Sequence, residues 1–181
     1  MLQFRDDPAA YRAFILEHQD RVFNLVLNKV QQWEDAEEIT QDVFIDVFRK
    51  PGAFRGEAAV STWLFRIAVN KCIDHLRRKN SRGRNVFTRL FSSWPEKEEP
   101  ADFIHPGVLS ENREQSTFLF KALKQLPEKQ HTAWILSEMD SRTNKEISEI
   151  MELTVSAVES LLFRARQNVR KILSGMYPGE K

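Results

Sequence analysis

The chain has 181 residues, 41% of them hydrophobic and 29% charged, which suits one or two small packed domains. Its 27 Lys and Arg face 26 Asp and Glu, a formal charge of +1, so net charge gives no argument for nucleic acid and any electrostatic signal must lie in its distribution. Scarce glycine (six) and tyrosine (two), together with long stretches of helical period, exclude a sheet of any size and point to an all-α chain. The single cysteine, Cys72, cannot form an internal disulfide, so nothing requires an oxidising compartment. No apolar run is long enough to span a bilayer, and the first residues, MLQFRDDPAAY, are too acidic and too broken for a signal peptide. A cytoplasmic protein without membrane insertion is expected.

Pro8 opens a first helix, with Tyr11, Phe14 and Ile15 on its apolar side to about His18. A second is expected from Asp20 to about Gln32, where Val22, Phe23, Leu25, Val26 and Val30 give the broad buried face of a central helix. Trp33 to Lys50 forms the next, buried along Ile39, Val43, Phe44, Val47 and Phe48. Its outer face carries Glu34, Asp35, Glu37, Glu38, Asp42 and Asp46 before any Lys or Arg. That face repels phosphate and should meet a basic protein patch or water. Carboxylates at helical spacing also suggest metal, but bundle di-metal sites want Glu-x-x-His pairs and none occurs. His18, His75, His105 and His131 are scattered, so no metal or other cofactor is expected.

Pro51-Gly52 ends that helix, and a loop leads into Ser61–Lys79, STWLFRIAVNKCIDHLRRK. Leu64, Ile67, Ala68, Cys72 and Leu76 make one apolar stripe, while Trp63, Arg66, Asn70, Asp74 and Arg77 recur on a second face. From Arg66 through Arg84 seven Lys or Arg stand against the single acid Asp74, a local anion-seeking asymmetry. Basic runs at helix ends can also simply complement the macrodipole. The preceding Phe54-Arg55-Gly56-Glu57 places an aromatic ring beside guanidinium groups, the combination on which single-stranded bases stack.

From Asn80 to about Glu111 the periodicity dissolves into a polar, proline-bearing linker in which Phe87, Leu90, Phe91 and Trp94 could dock on a partner or form a short helix. It returns in a helix carrying Phe118, Leu119, Ala122, Leu123 and Leu126, then in another started by Pro127 with Ala133, Trp134, Ile135 and Leu136. Thr143-Asn144-Lys145-Glu146 has the form of a capping box. A short helix from Lys145 to Met151, the tight connection Glu152-Leu153-Thr154, and a longer helix from Val155 to about Leu173 with Val155, Val158, Leu161 and Leu162 inward have the arrangement of a helix-turn-helix.

With these segments in this order, the chain resembles an extracytoplasmic-function (ECF) sigma factor, the minimal two-domain class of the sigma-70 family. DAEEITQDVFIDVF, from Asp35 to Phe48, resembles the core-polymerase-binding helix of sigma domain 2, and FRGEAAVSTWLFRIAVNKCIDHLRR resembles its minus-10 element. LPEKQHTAWILSEMDSRTNKEISEIMELTVSAVESLLFRARQNVRKIL resembles sigma domain 4, with interior positions falling on Ile147, Met151, Leu153, Val158 and Leu161. The resemblance implies two small helical domains, residues 1–80 and 112–176, joined by an extended linker over 81–111. It implies that Asp35, Glu38, Asp42 and Asp46 meet core RNA polymerase. It also implies that Arg55, Gly56, Glu57, Trp63, Arg66, Asn70, Asp74, Arg77 and Arg78 capture minus-10 bases of the non-template strand, with Trp63 either core or the rim of a base pocket. Ser156, Glu159, Ser160, Phe163, Arg164 and Arg166 map onto the helix that enters the minus-35 major groove.

Further implied partners are promoter DNA, duplex and single-stranded, and an anti-sigma factor. Three departures from the family pattern stand out. Glu152 occupies a turn position where glycine is usual, and Glu159 and Leu161 stand where many relatives are basic. Glu159 either accepts a hydrogen bond from cytosine N4 or folds back onto Arg164 or Arg166. The competing readings are a polymerase-independent helix-turn-helix regulator, which leaves the acidic helix without purpose, and a sigma mimic that sequesters an anti-sigma factor. No nucleophile with its base, phosphate loop or ligand set is present, so an enzyme is not expected.

Overall fold

The computed structural model describes residues 7–50, 54, 56, 58–90 and 113–176, without the side chains of 80–90 and 113–114. Seven α-helices fill it and, among the described residues, there is no strand. They are α1 (Pro8–Val30), α2 (Trp33–Arg49), α3 (Val60–Leu90), α4 (Arg113–Lys124), α5 (Glu128–Trp134), α6 (Asn144–Met151) and α7 (Val155–Met176). Arg55, Glu57 and the linker residues Phe91 and Trp94 lie outside the described residues, as do the side chains of Arg82, Arg84, Phe87 and Leu90.

The two helices expected before Gln32 are one. Asp7 caps α1 by accepting from the Ala10 N–H at 2.9 Å, Pro8 follows in the first turn, and no residue between His18 and Val22 breaks the helix. Its last two turns, Leu25 to Val30, are buried on every side, because α2 and α3 cover one flank and the C-terminal helices the other. On α2 the buried stripe is Ala36, Ile39, Thr40, Val43, Phe44 and Val47, whereas Phe48 is 40% exposed. Helix α3 does not stop at Lys79 but continues to Leu90. Asn80 to Leu90 is polar and contains no proline, so nothing stops a helix already nucleated upstream.

In the C-terminal half, Pro127 is the residue before α5 rather than its first member. Helix α5 runs directly into a π-helical turn, Ile135–Met139, which the sequence pattern did not signal. The turn closes with the Asp140 N–H on the Ile135 carbonyl and the Arg142 N–H on the Leu136 carbonyl, at 3.1 and 2.9 Å. Ser141 then takes a left-handed φ of 53° and reverses the chain. The capping box forms as expected: Thr143 Oγ1 accepts from the Glu146 N–H at 3.3 Å, and Glu146 Oε2 accepts from the Thr143 N–H at 2.9 Å. On α7, Val158, Leu162, Ala165 and Val169 are buried and half-buried Leu161 packs against the core, while Val155 is exposed, which corrects one of the four inward positions. One hydrophobic cluster runs from Phe14 and Leu64 through Leu136 and Ile147 to Leu162, so the two halves share a core. A second cluster, Phe120, Leu123, Leu126, Ala165 and Val169, ties α4 to α7.

Where the halves meet, the apolar core gives way to polar groups. Lys29 is 4% exposed, and its Nζ lies 3.4 Å from both the Glu128 carbonyl and His131 Nδ1. Burial drives the Lys29 ammonium down to about 8, with Cys72 and Glu128 pulling the other way. Burial, and then the neighbouring Lys29, push His131 down to about 3. Gln31, 2% exposed, reaches the Phe120 carbonyl at 3.4 Å.

His131 sets a pH dependence. An unfolded histidine takes up a proton below about 6.5, whereas buried His131 stays neutral down to about 3. Between those values the unfolded chain binds more protons, so stability falls as pH drops through the window. From pH 7 to pH 5 the loss should be about 2 kcal/mol. Urea denaturation at both pH values checks it, and His131→Gln, which still accepts from Lys29 but does not titrate, should show a markedly smaller difference.

Candidate polymerase and nucleic-acid surfaces

Helix α2 turns its carboxylates toward α3 and solvent. Lys71 Nζ lies 2.9 Å from Asp46 and 3.7 Å from Asp42, and Asp35 Oδ2 is 2.7 Å from Lys79 Nζ and 3.2 Å from His75 Nε2. Burial pushes the Asp35 carboxyl up, but Lys79 and His75 outweigh it and hold it below the usual range. Glu38 stays exposed. A groove of about 430 Å³ runs between the two helices, lined by Asp35, Glu38, Ile39, Asp42, Lys71, His75, Arg78 and Lys79. The acidic face is thus partly met by the chain's own basic helix, and its remaining carboxylates point outward.

On α3, Leu64, Ala68 and Cys72 are buried and Ile67 and Leu76 pack against the core, as expected of the stripe. Phe65 and Val69 are buried as well, at 1% and 4% exposure, which the stripe missed. The structure brings Trp63, Arg66, Asn70, Asp74, Arg77 and Arg78 onto the remaining surface of one helix. Asn70, Asp74, Arg77 and Arg78 are exposed, and Arg66 and Trp63 half-buried. Trp63 both packs against the core and meets the Phe54 ring at 5.3 Å between centroids, so it is a wall between core and surface. Gly56 is exposed with a φ of 76°, a left-handed bend that glycine adopts without strain, and nothing approaches within 4 Å of where a Cβ would stand.

Ser156, Glu159, Ser160, Phe163, Arg164 and Arg166 are all exposed on α7, opposite Val158, Leu162 and Ala165. Thr154 Oγ1 starts the helix by accepting from the Ala157 N–H at 3.2 Å. Phe163 is 63% exposed. Arg166 is held by Glu138 at 2.7 Å, and Arg164 Nε donates to the Ser160 carbonyl at 3.1 Å. The described hydrogen bonds and ion pairs therefore commit Arg166 to Glu138, leave the terminal nitrogens of Arg164 without a described carboxylate, and show no fold-back of Glu159.

Arg142 is the functional-looking residue the pattern did not reveal. It follows the reversal at Ser141, and its guanidinium sits 4.3 Å over the Phe65 ring of α3 while bonding Asp140 at 2.5 Å and Glu146 at 3.0 Å, and reaching Ser61 at 3.4 Å. Nothing in its sequence context distinguishes it, since its partners come from both halves of the chain. Truncation to Ala leaves Asp140 and Glu146 without their cation and uncovers Phe65, and should cost about 2 kcal/mol. Arg142→Lys keeps the charge but not the planar stack. Chemical denaturation should rank wild type above Lys above Ala.

Comparison with known proteins places this geometry. The family profiles described as Sigma-70 region 2 and Sigma-70, region 4 match residues 14–82 and 119–169. The chain is 32% identical over 174 residues to the ECF RNA polymerase sigma-E factor of Escherichia coli K12, covering 91% of this chain and 87% of the relative. It is 29% identical over 171 residues to the RNA polymerase sigma-H factor of Pseudomonas aeruginosa, covering 93% and 89%. Its fold is similar to that of the sigma factor RpoE of Bartonella quintana, solved in complex with the anti-sigma factor NepR, at a TM-score of 0.69 and 22% identity over 91% of this chain and 96% of that one.

Proposed function

The chain belongs to the ECF sigma factors of the sigma-70 family, and from that premise we propose how its particular residues direct promoter recognition. It is an RNA polymerase sigma factor: it binds core polymerase and confers promoter specificity on transcription initiation. Its partners are the core enzyme, promoter DNA and an anti-sigma factor, and it acts by binding and not by catalysis. Among the described residues no helix is long and apolar enough to cross a membrane; the place of work proposed for the chain is the cytoplasm, beside the polymerase.

The single observation that carries the assignment of residues is the division of surface between α2, α3 and α7. The carboxylates of α2, with Glu38 open to solvent and Asp35, Asp42 and Asp46 shared with Lys71, His75 and Lys79 of α3, provide an acidic face that a basic polymerase surface attracts and nucleic acid avoids. The polar face of α3, Trp63 to Arg78, supplies cations, an amide and an aromatic wall to bases of the non-template strand, with Arg55, Gly56 and Glu57 shortly before it in sequence. Taking a base out of the stack costs a few kcal/mol, which such contacts offset. The exposed half-turns of α7 read the minus-35 major groove. Residues 1–80 then form the polymerase and minus-10 unit and 112–176 the minus-35 unit, with 81–111 between them.

Run-off transcription with purified core polymerase on a promoter library tests the reading. Sequence-specific starts are expected only when this chain is added; absence of such starts contradicts it. In the same assay, Asn70→Ala and Arg66→Ala should reduce minus-10 melting about tenfold, the worth of one polar contact, with little loss of closed-complex binding. Permanganate reactivity of the melted thymines reads this, and normal melting in both variants would mean the polar face was assigned wrongly.

Glu159 sets specificity rather than affinity. Arg166 is paired with Glu138, and no described bond joins Glu159 to Arg164, so in the major groove its carboxylate needs a donor, and cytosine N4 is one that presents itself. A good base contact discriminates by about 1–3 kcal/mol. Selection of minus-35 variants by wild-type and Glu159→Lys holoenzymes at two salt concentrations should give different preferred bases at one position. An identical ranking, with only a general gain in affinity and a steeper salt slope, would point to bulk electrostatics alone.

A further inference from the structure

We propose that Glu138 positions Arg166 to grip a backbone phosphate of the minus-35 duplex, its carboxylate holding one edge of the guanidinium so that the other faces DNA. The proposal rests on the reading of α7 as the minus-35 helix. Three donors converge on Glu138 Oε1: Arg166 Nη2 at 2.7 Å, Arg166 Nε at 3.2 Å and Ser137 Oγ at 3.3 Å. Nε and Nη2 make up one edge of the planar guanidinium. The opposite edge, Nη1 with the second hydrogen of Nη2, carries no bond among the described residues. A fork held along one side no longer swings freely, and what it offers outward is a pair of parallel donors, the arrangement that suits two phosphate oxygens.

The position of Arg166 along α7 selects phosphate over a base. Arg166 stands eleven residues after Val155, where the helix begins, about 16 Å along it at 1.5 Å per residue. A recognition helix meets base edges with its N-terminal residues, and the major groove is about 12 Å wide. Ser156, Glu159 and Ser160 stand within that width, whereas Arg166 has passed to the groove wall, where the sugar-phosphate backbone runs.

Glu138 is placed independently of the pair it makes. It belongs to the π-helical turn Ile135–Met139, in which Ile135 and Leu136 are buried and Met139 packs against both hydrophobic clusters. Helix α7 is fixed against α5 through Trp134 and Ala165, and by Asn168 Nδ2 donating to Gln130 Oε1 at 2.8 Å. The ion pair itself is open to water, 58% exposed at Arg166 and 37% at Glu138, and such pairs add little to stability. A carboxylate beside a DNA-facing helix repels phosphate. One that contributes little to the fold has a use there only if it aims the cation. Turns of π type interrupt regular helical winding and recur at functional sites; this one directs Glu138 at α7 while Met139 stays inward.

The test uses holoenzymes reconstituted from core polymerase and the full chain, on the promoter that starts best in the run-off library, with closed-complex affinity measured across a salt series. Arg166→Ala should lower the slope of log affinity against log salt by about one, the signature of one lost phosphate contact, and leave the ranking of minus-35 bases unchanged. Glu138→Ala should keep the melting temperature but weaken binding about threefold to fivefold, the worth of an exposed ion pair. Glu138→Gln, whose carbonyl oxygen accepts the same two bonds, should restore it, and Glu138→Ala should cost nothing further once Arg166 is Ala. Equal or tighter binding by Glu138→Ala, with Arg166→Ala still weakened, overturns positioning and leaves the α7 reading standing. An altered base ranking in Arg166→Ala overturns the choice of phosphate. No change of affinity or slope in Arg166→Ala removes Arg166 from the minus-35 surface and the proposal with it, as does a library without specific starts.

Discussion

The contact on which the rest of this structure depends is a lysine buried where it has little business being. Lys29 lies at the end of the central helix α1, 4% exposed, with its ammonium against one backbone carbonyl and one imidazole from the C-terminal half. Burial of an ammonium is costly unless it is well satisfied, and two bonds at 3.4 Å are long ones. The apolar cluster running through both halves supplies the attraction that holds Lys29 there; the lysine and its polar neighbours limit how strong that attraction becomes. A seam of this kind joins two units without fusing them.

That balance fits a sigma factor, whose halves must each grip a different part of a promoter. Apolar residues alone along α1 and α5 would give a more stable and less responsive protein. Strain is distributed in the same sense. Gln31, Ser141 and Glu152 all adopt left-handed backbone, at roughly 1–2 kcal/mol each, and all three stand at or next to a contact between the halves. The outer surface of α7 is left outside the seam, with Phe163 and Glu159 exposed.

Much of this was legible in the residues themselves. The 3.6-residue period of α2 and α3, the capping box at Thr143 and Glu146, and the short-helix, turn, long-helix pattern of α6 and α7 are local signals, and each was found where its spacing put it. The division of α1 into two helices was wrong because a change in which face is apolar looks like a break when it is a change of neighbour. Val155 looked inward by composition but stands in the exposed first turn of α7. The stacking of Arg142 on Phe65 and the burial of Lys29 were illegible because their partners lie across the seam, and no spacing in either half encodes the other; the π-helical turn closes on its own backbone, with no side-chain spacing to announce it. Glu152 was visible as a departure from a glycine position, but its meaning required seeing Arg66 beside it.

The most direct test is the titration of Lys29 itself, followed by NMR of its side chain in the free, full-length protein. With the halves packed together its ammonium should titrate near 8. A value near 10.5, that of a lysine in water, would mean the halves stand apart in solution and would contradict the seam on which this account is built.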